Sequence, residues 1–137
     1  MNQVIIVSHG GLAQGLHDTL KMFVNADQVL SIGLKNGEDV ASFATRVDEM
    51  IKDFTAEDHI ILLADLIGGS PLTTFMNCLE NKQLLANTIV IGGVNLAMAL
   101  NAVLLKDNLD MVANMAISEA KEAIKTLEIA SSNDEEI

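Results

Sequence analysis

Ile60-Ile61-Leu62-Leu63-Ala64-Asp65-Leu66-Ile67-Gly68-Gly69-Ser70-Pro71 is the stretch that decides how this chain folds. Its first five residues are apolar without alternation, which suits a strand buried on both faces of a parallel sheet. The glycine pair marks a tight turn, and Ser70-Pro71 marks a helix start. Ser70 is the expected N-cap, and the chain's only proline stands at the first helical position, where a missing N–H costs nothing. A strand passing through a glycine turn into a helix is the repeating step of an open parallel sheet.

The same step recurs toward both ends of the chain. Val4-Ile5-Ile6-Val7 is a continuous β-branched run, and Leu12, Leu16, Leu20 and Phe23 follow at helical spacing. Val29-Leu30-Ser31-Ile32 is a weaker strand. Asn36-Gly37-Glu38-Asp39 then leads into a helix marked by Val40, Phe43, Val47, Met50, Ile51 and Phe54. Ile89-Val90-Ile91 reads as a fourth strand, Asn95–Leu105 as a very apolar helix, and Ile117, Ala120, Ile124 and Leu127 as one face of a last helix. This alternation predicts an α/β fold with a doubly wound, mainly parallel sheet and helices on both faces. A strand order of 2-1-3-4 would place strands one and three side by side. No repeat or Pro/Ser-rich linker divides the chain, so residues 1–130 are expected to form a single domain. Residues 131–137 (Ser131-Ser132-Asn133-Asp134-Glu135-Glu136-Ile137) are expected to be an acidic, disordered tail.

Composition narrows the function. The 137 residues are 50% apolar but only 3% aromatic, with no Trp or Tyr. Nineteen acidic against eight basic residues give a net charge of −11, which repels nucleic-acid phosphates and anionic lipid. The apolar runs fall far short of the roughly twenty residues that cross a bilayer, and Met1-Asn2-Gln3 carries no basic leader. A lone Cys78 excludes a disulfide framework and a cysteine-based zinc site. The expectation is a soluble, acidic protein of a reducing compartment, with no nucleic-acid partner and no membrane insertion.

Six of the nine glycines form the pairs Gly10-Gly11, Gly68-Gly69 and Gly92-Gly93, each between a strand and a helix. Such pairs also serve plain tight turns, but three on one sheet edge favour a ligand site. Open parallel sheets bind at that edge, where backbone amides at helix N-termini favour anions. His9 closes the first strand and Asp65 the third, so adjacent strands would bring them face to face. A carboxylate on one imidazole nitrogen fixes the tautomer and leaves the other free as a nucleophile. Ser70 and the nearby amides complete a phosphate cradle. His17 reads as surface or rim, and His59, beside Glu57 and Asp58, as solvated. Cys78 reads as a small buried residue, and Met98, Met111 and Met115 as core or interface filler. Gly68-Gly69-Ser70 begins like a hydrolase nucleophile elbow, but Leu72 stands where that turn needs glycine and all three histidines precede Ser70. Walker and Rossmann signatures are absent.

Val4-Ile5-Ile6-Val7-Ser8-His9-Gly10, Ala64-Asp65-Leu66-Ile67-Gly68-Gly69-Ser70-Pro71 and Gly92-Gly93-Val94-Asn95 together resemble the IIA components of mannose-type sugar phosphotransferase systems. The similarity runs from Val4 to about Leu127. It implies a cytoplasmic phosphotransferase whose residue matching His9 takes a phosphoryl group from phospho-HPr and passes it to a IIB component. It also implies that Asp65 orients His9 and that Gly10, Gly68, Gly69 and Ser70 cradle the phosphoryl oxygens. The family fold adds an antiparallel strand and is a homodimer, for which Asn95–Leu105 offers an apolar surface. Exchange between two histidines is nearly balanced and calls for no metal or cofactor. Ile67 stands where some members carry an aromatic residue. Two other readings stay open: a regulatory or sensor module of the same fold, and the phosphocarrier subunit of a dihydroxyacetone kinase system. The latter tends to lack the Gly-Gly-Ser-Pro turn. The sugar itself is not written in these residues.

Overall fold

The computed structural model describes residues 1–129, so the tail expected at 131–137 lies outside the described residues. The elements run β1 (Asn2–His9), α1 (Leu12–Leu20), β2 (Val29–Leu34), α2 (Val40–Ile51), β3 (His59–Ala64), α3 (Ser70–Asn81), β4 (Thr88–Gly92), α4 (Leu96–Leu104) and α5 (Leu109–Glu122). A single 3₁₀ turn, Leu85–Asn87, precedes β4.

The sheet has the order β2-β1-β3-β4 with every pairing parallel. Its unbroken apolar strands are explained by helices on both faces. Val4, Ile6, Ile61, Leu63 and Ile91 point into a cluster with Ala13 and Leu20 of α1, Met98 and Ala102 of α4, and Val112 and Ala116 of α5. Ile5, Val7, Ile32, Leu62 and Ala64 point the other way, against Phe43, Val47 and Ile51 of α2 and Leu72, Phe75 and Leu79 of α3. Because α1 and α3 leave β1 and β3 toward opposite faces, the chain splits between those strands. That crevice is the topological switch point of the sheet.

Four details depart from the sequence pattern. Helix α1 stops before Phe23, because Met22 and Phe23 bond back to Thr19 and Leu20 in a tightened turn that leaves the Phe23 ring exposed. Helix α2 likewise ends at Ile51, and Phe54 packs on the second cluster from the following turn. Helix α5 ends at Glu122, and Ile124 and Leu127 are exposed with no surface to bury them, so helical spacing alone misled there. At α3 the N-cap is Gly69 with extended backbone, and Ser70 is the first helical residue. The four strands among the described residues are all parallel, with no antiparallel addition.

Candidate functional site

Val7 of β1 is in register with Ala64 of β3, so the chain delivers His9 and Asp65 to the same point beyond the sheet edge. One Asp65 oxygen, Oδ2, accepts both the His9 backbone N–H and the His9 ring nitrogen Nδ1, each at 2.9 Å. The other, Oδ1, accepts the Leu66 N–H at 2.8 Å. Burial by itself would raise the Asp65 pKa. The donated hydrogen bonds from His9 and Leu66 outweigh it and hold the carboxyl below its usual value. Asp65 is therefore ionised near neutral pH and fixes Nδ1 as the protonated nitrogen. In the neutral ring this places the lone pair on Nε2. Asp65 is mostly covered while the imidazole is 46% exposed, an arrangement that anchors the carboxylate and leaves the ring open to solvent.

The glycines of the β3–α3 turn make room for this ring. A β-carbon on Gly69 would lie 2.8 Å from His9 Cε1 and 3.3 Å from Nε2, so only glycine lets the imidazole sit over the start of α3. Gly68, at φ 87°, takes the left-handed turn that aims the helix there. Nε2 therefore faces the N-terminus of a twelve-residue helix, whose amides and dipole favour an anion. Ser70 is exposed on the same turn, and its hydroxyl makes no hydrogen bond among the described residues. Gly10 follows His9 directly, on the opposite side of the crevice.

The third glycine pair is scaffolding at the same edge. Val94 N–H bonds to Ala64 O at 2.9 Å, while Asn95 caps α4 at Met98 N–H and ties to Ala120 O of α5. The Ile67 side chain lies over Gly92, where a β-carbon would collide with it. His17 bonds Ser31 Oγ through Nδ1 at 2.9 Å beside β2, away from the His9–Asp65 pair. His59 opens β3 and so lies at the far end of the strand from Asp65. Cys78 is buried, and desolvation, followed by the influence of Asp48, pushes its thiol up to about 11, which keeps it unreactive.

Two arrangements were not evident from the residues alone. Ser8, fully buried, accepts the Ala13 N–H at 2.8 Å and so caps α1 in place of Gly11, which has no side chain to do so. Arg46 of α2 grips Glu38 with Nε and Nη2 and donates to Gly33 O at 2.7 Å. With Lys35 it borders a cavity of about 430 Å³ that also reaches Gly10 and Gly11. An Asp/Glu-Arg pair eight residues apart has no distinctive spacing, and a serine at a strand end reads as an ordinary strand residue.

The doubly wound sheet with a histidine and a carboxylate paired at its switch point is an architecture shared, as a fold, by solved structures. The mannose/sorbose-specific IIA subunit from Enterococcus faecalis superposes with a TM-score of 0.80 at 22% identity, covering 94% of this chain and 96% of that one. The phosphotransferase component EIIA from Streptococcus agalactiae gives 0.78 at 25% identity, over 92% and 97%. The fructose-specific EIIA component of Bacillus subtilis is 24% identical over an alignment 119 residues long that covers 84% of this chain and 80% of the relative. Residues 3–125 match the family model for the PTS system fructose IIA component, and the chain belongs to that family. No helix among the described residues is long and apolar enough to cross a membrane.

Proposed function

We propose that the chain is a phosphohistidine carrier in which His9 Nε2 accepts a phosphoryl group from phospho-HPr and hands it to a IIB component for sugar uptake. The observation that carries this reading is the double hydrogen bond from His9 to a single Asp65 oxygen, which frees Nε2 over the α3 N-terminus. In the forward step the phosphorus–nitrogen bond of the donor histidine breaks as one to His9 Nε2 forms. The Nδ1 proton stays against Asp65, which balances the positive charge that grows on the ring. The exchange trades one phosphoramidate for another, so in-line positioning and charge stabilisation supply the catalysis. The amides around Gly10, Gly68 and Gly69 and the Ser70 hydroxyl receive the phosphoryl oxygens. The reverse sequence, with the IIB histidine as acceptor, releases the group.

In this account residues 1–130 act as one cytoplasmic IIA domain that meets a membrane transporter through IIB. Leu104, Met111 and Met115, exposed on α4 and α5, support a homodimer through that apolar face. Incubation with phosphoenolpyruvate, enzyme I and HPr tests the reading. The parent should take up acid-labile, alkali-stable phosphate and pass it to IIB, and His9→Ala should take up none. A fully labelled His9→Ala variant would sink the assignment, and a labelled parent that never transfers onward would favour the sensor reading.

A further inference from the structure

Asp65 holds the His9 ring and the His9 backbone N–H, but the turn that follows, at Gly10 and Gly11, is held by groups that do not touch the ring. Ser8 and Gly33 face each other across the β1–β2 pairing, immediately beneath that turn. The Ser8 side chain is wholly buried, and its Oγ accepts the N–H of Ala13, itself fully buried in the second position of α1. This bond closes residues 8–13 into a loop with His9, Gly10 and Gly11 inside it. From the other side, Gly10 N–H donates to Leu34 O at 2.7 Å. Gly33 does not occupy the left-handed region, so its backbone would suit any residue. Space is what requires glycine there, since a β-carbon would collide with the Gly10 carbonyl oxygen and stand 3.1 Å from its carbon. The obstructing atoms are backbone, so relief requires the turn that carries His9 and the end of β2 to move apart.

We infer that Ser8 and Gly33 are positioning residues for His9: one ties the His9 turn to α1, and the other lets it settle onto the end of β2. The inference rests on the phosphocarrier reading for its kinetic consequence but not for its structural one. Without the Ser8 hydroxyl the Ala13 N–H loses its acceptor in a dry setting, and the turn is free to drift. With a methyl group on Gly33 the Gly10 carbonyl must swing away. In either case the His9 backbone N–H and Nδ1 lose their shared alignment on Asp65 Oδ2, and Nε2 leaves its place above Gly69. A displacement near 1 Å is enough to slow a positioned transfer by about 100-fold.

The test compares Ser8→Ala and Gly33→Ala with Gly15→Ala, a control whose new methyl group meets open space on α1. Two readouts are taken on the full chain: the ¹⁵N chemical shifts of the His9 ring across a pH titration, and the single-turnover rate of phosphoryl acceptance from phospho-HPr. Thermal midpoints are recorded alongside. Ser8→Ala and Gly33→Ala should each move the ring signals away from the Nδ1-protonated pattern and slow acceptance at least tenfold, while Gly15→Ala changes neither. Parent-like ring signals in both variants would overturn the inference, even if rates fell in step with thermal stability. Should Ser8→Ala fail to fold, Gly33→Ala decides alone, because it lies on an edge strand and removes no hydrogen bond. Should the parent accept no phosphate, the carrier reading fails while the ring signals still decide the positioning role.

Discussion

At the scale of single residues, the site is a contest for space as much as for charge. Asp65 spends both oxygens on three N–H groups, two of them from His9, so its geometry is over-determined and its negative charge is retained. The ring it holds then needs somewhere to rest, and Gly69 supplies that place by having no side chain. Gly69→Ala isolates this requirement. The N-cap backbone there is extended and accommodates alanine, and glycine-to-alanine at an N-cap is a modest change in helix stability. The variant should keep a thermal midpoint close to the parent's yet accept phosphate about 100-fold more slowly, as expected when a nucleophile is displaced. A rate equal to the parent's would show that the ring does not need to lie over α3. The contact of His9 with Asp65 and the place of Ser70 at the start of α3 could be expected from the sequence because these residue types stand at or shortly after strand ends. The roles of Ser8 and Gly33 could not, because burial of a hydroxyl and collision with a neighbouring strand's carbonyl exist only after the sheet is assembled.

At the scale of elements, strands read true and helix ends did not. The runs Val4–Val7 and Ile60–Ala64 suit doubly covered strands, and the structure covers both faces as expected. Helix termini depend on local hydrogen bonding instead, which is why α1 tightens before Phe23 and α5 ends before Ile124 and Leu127. The β2–α2 connection shows what such local bonding contributes. Glu38 sits between the Arg46 guanidinium and the Lys35 N–H, and those hydrogen bonds, Arg46 first, lower its carboxyl from 4.5 to about 2. A folded-state pKa below the ordinary value stabilises the fold at pH values above that ordinary range, and the contribution disappears as pH falls toward 2. Glu38→Gln should therefore be less stable than the parent at pH 7, with the difference shrinking from about pH 4.5 downward. Denaturant midpoints measured from pH 7 to pH 2 check this, and a gap that stays constant would mean the pair does not order the loop.

At the scale of the whole molecule, the sheet explains how an acidic chain with few cations handles an anionic group. Its net charge is −11, while the crevice between β1 and β3 gathers helix starts and backbone amides. Lys35 and Arg46 border the neighbouring cavity, but Arg46 is already committed to Glu38. Helix starts and backbone amides are therefore the expected source of favourable potential for an anion at His9. The glycine pairs marked the sheet edge but not the strand order; the expected meeting of His9 and Asp65 depended on an order of 2-1-3-4, which the pairing of β1 with β3 bears out. The central claim is that this fold makes Nε2 of His9 the phosphoryl acceptor. The most direct measurement is ³¹P and ¹⁵N NMR of the histidine-labelled protein after incubation with phosphoenolpyruvate, enzyme I and HPr. The account predicts a single phosphorus–nitrogen bond, at Nε2 of His9, with Nδ1 still protonated against Asp65. Phosphate on Nδ1, on His17 or on His59, or no phosphate at all, would contradict it.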